Sequence, residues 1–417
     1  QVGYNNDYLD ILETNRAGPT ALLVCNHEYT NEGIMFPPGS DPATEIRTAW
    51  AAHGMSVVEL TRRRRGDVWT YVPGARLNRR ITLDTPFAVD GPAAGSDLLK
   101  TKADPTGRTV RGTINNCAGG TTPWGTVLSG EENFNQYFRV TGTDPKEKRY
   151  GLSATQDSRN WRSLDPRWDA TTDDYRNEPN RFGWIVELDP SDPTSTPVKH
   201  TAMGRFKHEG AHVVVNRDGR VVAYMGDDER FDYMYKFITT GRYDAHPQRR
   251  SDNFDLLDEG TLYVAKFHDD GSGEWLPLVF GQGPLTPANG WDSQADVLIR
   301  ARMAADATGG TKMDRPEDIE PNPVTGKVYV ALSAAGAIGT RTSVRAHSAT
   351  SRSAASCSMT ATSHASRPTS ARACPPRSRW LARRSSSSPR RSSWTRALRR
   401  DTRRSRSAGP WSRSTPS

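Results

Sequence analysis

The chain has 417 residues with 56 basic and 48 acidic side chains, a formal net charge of +8 that on its face invites a polyanionic partner. The sign belongs to one end only: residues 1–340 hold 38 basic against 47 acidic residues, whereas residues 341–417 hold 18 arginines, no lysine and the single acid Asp401. The body is therefore an acidic protein, which removes the electrostatic case for nucleic acid, and no apolar run is long enough to cross a bilayer.

The length suits one large domain or two ordinary ones. The chain opens at Gln1 in sequence that reads as part of a folded domain, so a leader is expected to have been lost by processing or truncation. In chain order, short apolar runs predict strands at Ala21–Cys25, Trp124–Ser129, Phe182–Leu188, His212–Val215, Val221–Met225, Leu262–Phe267 and Val328–Leu332. Turn chemistry separates them, as in Asp189-Pro190-Ser191-Asp192-Pro193, Asn216-Arg217-Asp218-Gly219 and Asn322-Pro323-Val324-Thr325-Gly326-Lys327. The best amphipathic helix is expected around Ser293–Ala304. Many short strands with little helix predict an all-β sandwich, barrel or propeller, and the recurring unit of strand, polar turn and strand favours the propeller. Beyond about Gly339 the composition changes: 39 of the 77 residues from 341 onward are Ser or Arg, and Lys, Glu, Phe, Tyr and Ile are absent. GC-rich codons read out of frame yield such a mixture, so a break near 335 is expected, with 336–417 an aberrant, frameshifted tail. A basic, disordered tail that binds polyanions is the rival reading, against which three Trp and two Cys in the segment count.

Four segments gather ligand-type residues among these strands. They are Cys25-Asn26-His27-Glu28-Tyr29; Asn116-Cys117 followed by Gly130-Glu131-Glu132-Asn133; Lys207-His208-Glu209 followed by Gly226-Asp227-Asp228-Glu229; and Asp314-Arg315-Pro316-Glu317-Asp318. Acids are costly to collect at strand ends unless cations compensate them, although each segment alone would pass for a solvated turn. Of the body's two cysteines, Cys25 and Cys117, either a mutual disulfide, a buried thiol or a metal ligand is open. His208-Glu209-Gly210-Ala211-His212 matches the zinc-protease pattern, but that chemistry needs both histidines on one helical face, and Gly210 followed by Val213-Val214-Val215 predicts strand instead.

At these same residues the sequence resembles PhoX-type alkaline phosphatases. The resemblance is carried by CNHEYTNEG (25–33), NCAGGTTPWGTVLSGEENF (116–134), KHEGAHV (207–213), MGDDERFDYMYKF (225–237) and RPEDIEPNPVTGKVYVAL (315–332). It implies a six-bladed β-propeller, incomplete here over 1–335, exported by the twin-arginine route for phosphate acquisition. It also implies a monomer that hydrolyses small phosphoesters with an iron and calcium cluster. Carried over by motif, Cys117 would be the thiolate ligand to iron, Glu209 and Glu317 carboxylate ligands, and Arg315 the phosphate-binding group. Glu28, Glu131, Glu132, Asp227 and Asp228 are further candidate cation ligands, with the orientation of each adjacent acid pair left open. The family takes further carboxylates from beyond the position of Leu332, where this tail offers none, so the chain as written is expected to be inactive. A calcium-stabilised propeller serving as a binding or scaffold module, or a lactonase on the same fold, are the alternatives.

Overall fold

The computed structural model describes residues 3, 5–14, 18–155, 157–333 and the backbone strand 359–360. These lie in one compact unit, Gln1–Thr362; a second unit, Ser363–Ser417, and most of the segment predicted to be aberrant lie outside the described residues.

Strand formation follows the apolar runs. Thr20–His27 and Gly54–Thr61 pair antiparallel through eight residues, and Leu9–Glu13, Thr70–Tyr71 and Arg79–Ile81 complete a five-stranded sheet. The second sheet has six strands in the order Thr109–Arg111, Pro86–Asp90, Val198–His200, Ile185–Leu188, Val127–Glu131 and Asn116–Thr121. All its pairings are antiparallel except that between Val198–His200 and Pro86–Asp90. The third is an antiparallel meander of His212–Val215, Arg220–Gly226, Met234–Arg242, Gly260–Phe267 and Gly273–Pro277, its first hairpin closed by the expected Asn216–Gly219 turn. Pro316–Pro321, Lys327–Leu332 and Met359–Thr360 form a smaller sheet, and Arg230–Asp232 pairs with Met313–Asp314. None of these sheets closes on itself among the described residues.

All seven predicted strand regions carry strands, though the strand expected from Trp124 starts at Val127 and the one expected from Phe182 starts at Ile185. The helix expected around Ser293–Ala304 is two short ones, Gln294–Ile299 and Ala301–Thr308, with Ser293 capping the first by accepting from Asp296 N. A longer helix, Pro42–Ala52, was not anticipated. Its start carries ordinary signals: Asp41 accepts from Thr44 N at 2.9 Å, and Pro42 occupies the first turn. No helix among the described residues is long and apolar enough to cross a membrane.

Candidate active site

The ends of several strands converge on one cavity of about 450 Å3. Thr20–His27 delivers Glu28, Asn116–Thr121 delivers Cys117, and Val127–Glu131 runs into Glu132. The segment before His212–Val215 supplies Glu209; Arg220–Gly226 leads to Asp228; Arg315 and Glu317 come from the start of Pro316–Pro321. Two motif glycines permit this convergence. A Cβ on Gly130 would sit 2.3 Å from the His208 carbonyl oxygen, and one on Gly226 would sit 2.2 Å from the carbonyl oxygens of both Pro316 and Glu317.

Cys117 is the hub. Its Sγ lies 3.1 Å from Asp7 Oδ2 and 3.4 Å from Glu209 Oε1, two acceptors for its single S–H. Ligand atoms of Asp7, Glu28 and Cys117 lie within 4.8 Å of one another, as do those of Cys117, Glu132 and Glu209. One thiol is thus common to two triads. Its position is fixed from behind by Asn26, whose Nδ2 donates to the Cys117 carbonyl and, at 2.9 Å, to Ser129 Oγ. Cys25 and Cys117 are both free and buried, so no disulfide joins them.

The adjacent acid pairs divide by strand alternation, successive side chains pointing to opposite sides. Glu132 lines the cavity; Glu131, expected among the cation ligands, turns into the core, where it meets the Lys199 ammonium at 2.6 Å and accepts from Gly183 N at 3.0 Å. Asp228 likewise lines the cavity, while Asp227 is fully buried in a bidentate pair with Arg302, its Oδ2 2.7 Å from Nε. Both inward acids already have cationic partners, which leaves no need for a metal.

The outward acids are only partly compensated, Asp228 and Glu317 sharing Arg315. Six carboxylates, Asp7, Glu28, Glu132, Glu209, Asp228 and Glu317, and the thiol face two guanidiniums, Arg159 and Arg315. Burial, with Glu132 and Asp228 nearby, pushes Glu209 up to about 9. Burial and the neighbouring acids also raise Glu28, Glu132 and the Cys117 thiol. Asp228 Oδ1 is buried without a hydrogen-bond partner among the described residues. Buried acids that outnumber the positive charges beside them, around a thiol and an orphaned carboxylate oxygen, fit a cluster of cations.

Arg315 stands at the edge of this cluster. Its Nη2 bonds Asp228 and lies 3.1 Å from Glu317 Oε1, and its φ of +53° places a non-glycine residue in the left-handed region. The guanidinium is 38% exposed, so it can meet a ligand entering from solvent.

The remaining motif residues are structural. His27 bonds Ser56 Oγ at 2.6 Å, and Trp124 Nε1 donates to Glu187 Oε1 at 2.8 Å. His208 is buried, stacked 3.7 Å from Phe206 and bonded to the Gly204 carbonyl, while His212 opens a strand and pairs with Glu320. No helix carries the two histidines, so the zinc-protease arrangement is absent from these described residues. Sequence reasoning did not anticipate Asp7, Asn115, Gln136 or Arg159 at the site, and named Tyr29 and Asn133 only as members of ligand-rich segments. Asn115 had a usable signal in its position before Cys117, where its φ of +50° is one that Asn tolerates.

The family model described as alkaline phosphatase PhoX matches residues 1–369. Among solved structures the chain is similar to Pseudomonas fluorescens PhoX in complex with vanadate, a transition state analogue, with 46% identity and a TM-score of 0.75. That match covers 79% of this chain and 58% of the other, so the chain spans less than two thirds of that relative's length. No curated protein matches significantly. A family model that extends over most of the chain agrees with the close structural likeness, and the chain belongs to the alkaline phosphatase PhoX family.

Proposed function

We propose that the cavity hydrolyses phosphate monoesters by metal-assisted attack. The observation that carries this reading is the single thiol shared by two carboxylate triads beside a guanidinium held on the cavity edge. Likeness to a phosphatase bound to vanadate supports the same chemistry. Cys117, as thiolate, would hold iron; Glu28, Glu132, Glu209, Asp228 and Glu317 would hold calcium or share the iron, hard oxygens suiting the hard cation. The chemistry such cations supply when bound is Lewis-acid: neutralisation of phosphoryl charge and easier ionisation of an oxygen nucleophile.

The chain's own residues do the rest. Arg315 offers a planar fork that matches two phosphoryl oxygens, and Asp228 and Glu317 hold that fork in place. As charge develops on the equatorial oxygens, a cation already aimed at them lowers the barrier without reorganising. Asn115, Asn133 and Gln136 line the same cavity and add neutral donors.

The finer features belong to this reading as well. We infer that the sheets are blades of a six-bladed propeller, that the protein is exported, and that it acts as a monomer on small phosphoesters. Family membership supports each of these.

The test is direct. Because every residue lining the cavity precedes Leu332, and against the inactivity expected from the tail, the chain loaded with iron and calcium should bind vanadate and release phosphate from an aryl phosphate, and Cys117→Ser and Arg315→Ala should each lower the rate by about 100-fold or more. If both variants retained the wild-type rate, the assigned roles would be wrong. Calcium uptake without vanadate binding or phosphate release would support a scaffold module instead.

A further inference from the structure

A second cavity of about 420 Å3 shares one wall residue, Arg159, with the first. The guanidinium carbon of Arg159 lies 5.9 Å from the ring of Tyr29, which lines the first cavity. Its Nη1 reaches the Thr30 carbonyl at 3.0 Å and Glu32 Oε1 at 3.1 Å, and Glu32 lines the second cavity. All of its side-chain hydrogen bonds among the described residues use Nη1, so Nε and Nη2 are available to a ligand at the junction.

Beyond the junction the lining is of mixed character. Ile46, Pro42 and Trp161 give apolar surface, and Ser158 and Asn160 give hydrogen-bonding groups. The two acids differ. Glu32 is matched by Arg159, whereas Glu45, in the first turn of Pro42–Ala52, has no ion pair or side-chain hydrogen bond among the described residues. An unmatched carboxylate on a half-apolar wall attracts an ammonium or a hydroxyl and repels a second anion.

We propose that this cavity is the leaving-group subsite: it receives the alcohol portion of the phosphoester and selects amino or hydroxyl alcohols over alcohols that carry a further anion. The proposal rests on the phosphoester reading above. In the reaction a water oxygen bonds to phosphorus, the bond from phosphorus to the alcohol oxygen breaks, and a proton of the water ends on that oxygen. The phosphate then remains in the first cavity and the freed alcohol in the second. The volume is that of an ordinary small-molecule pocket, sufficient for a short polar alcohol.

The experiment compares two esters of similar size, phosphoethanolamine and phosphoglycolate, with inorganic phosphate as reference. Calorimetric affinities and phosphate release are measured on the full metal-loaded chain. Phosphoethanolamine should bind about tenfold more tightly than phosphoglycolate; Glu45→Gln should shrink that ratio about fivefold, and Glu45→Lys should reverse it. Glu45 makes no ion pair or side-chain hydrogen bond among the described residues, so neither substitution removes one, and any loss of first-turn charge is read separately as a change in unfolding midpoint. Discrimination that depends on residue 45 without turnover would keep the subsite and sink the hydrolysis reading. Turnover with a ratio indifferent to residue 45 would overturn the subsite and keep hydrolysis. Binding of neither phosphate nor ester would overturn both.

Discussion

Asp227 and Asp228 are neighbours in sequence with opposite tasks. Arg302, fully buried, has its strongest partner in Asp227, with Asp232 more distant at 3.6 Å. Asp227→Asn should therefore cost on the order of 3 kcal/mol in urea unfolding, because it leaves a buried guanidinium undercompensated. Asp228 instead presents an oxygen with no hydrogen-bond partner among the described residues. Asp228→Asn should change stability by less than about 1 kcal/mol while lowering bound metal and vanadate affinity. Equal stability losses with metal content unchanged in both would refute this division. The acids at 131–132 and 227–228 were legible as pairs, and their roles were not, because a strand's direction of pleat depends on its partners. Asp7 and Arg159 were hidden for a different reason: each is a single charged residue in irregular chain, brought to the site only by tertiary packing.

At the scale of elements, glycines and one histidine set how sheets meet. Gly226 lets the strand that precedes Asp228 touch the backbone of Pro316 and Glu317. Gly226→Ala should cost about 1–3 kcal/mol by overpacking. By shifting Arg315 and Glu317 it should also weaken vanadate binding or turnover, by up to about 100-fold for a displacement near 1 Å. A variant destabilised to that degree with unaltered vanadate affinity would show that the approach serves packing alone. Within the second sheet His200, fully buried, bridges Glu187 at 2.7 Å and Asp258 at 2.7 Å. Burial alone would lower its pKa, yet the hydrogen bonds it donates to Asp258 and Glu187 outweigh burial and hold it at about 10. A raised folded-state pKa stabilises the protein fully below the unfolded value near 6.5, and that contribution is lost as pH rises toward 10. Stability should thus fall between pH 7 and 10, and His200→Gln should flatten that limb; an unchanged slope would exclude His200 as its source. Long alternating runs such as Gly260–Phe267 were legible. Arg79–Ile81, Thr109–Arg111 and Val198–His200 were not, since three-residue strands rich in charge are fixed by neighbours rather than by their own pattern.

The molecule as a whole combines two kinds of cohesion, and they should respond differently to metal removal. One is apolar. Tyr137, Phe138, Trp161, Trp168 and Phe182 are fully or almost fully buried with neighbouring ring centroids 4.6–6.4 Å apart, a core that gains nothing from cations. The other is the cavity, where strands of four sheets end against one another across acids that repel unless cations lie between them. Cations that bind only the folded chain stabilise it by about 2.7 kcal/mol at a hundredfold excess over their dissociation constant. Chelation should therefore lower the unfolding midpoint, and calcium with iron should restore it. The loss should also be local in hydrogen exchange. Amides near Glu28, Cys117, Glu132, Asp228 and Glu317 should exchange faster after chelation, while those around Trp161 and Trp168 should keep their protection. Coincident midpoints with and without chelator would show that the acids tolerate one another unaided, and the cavity would then lose its claim to be a metal centre. A lowered midpoint with protection lost equally everywhere would mean that cations hold the whole fold rather than this junction of sheets.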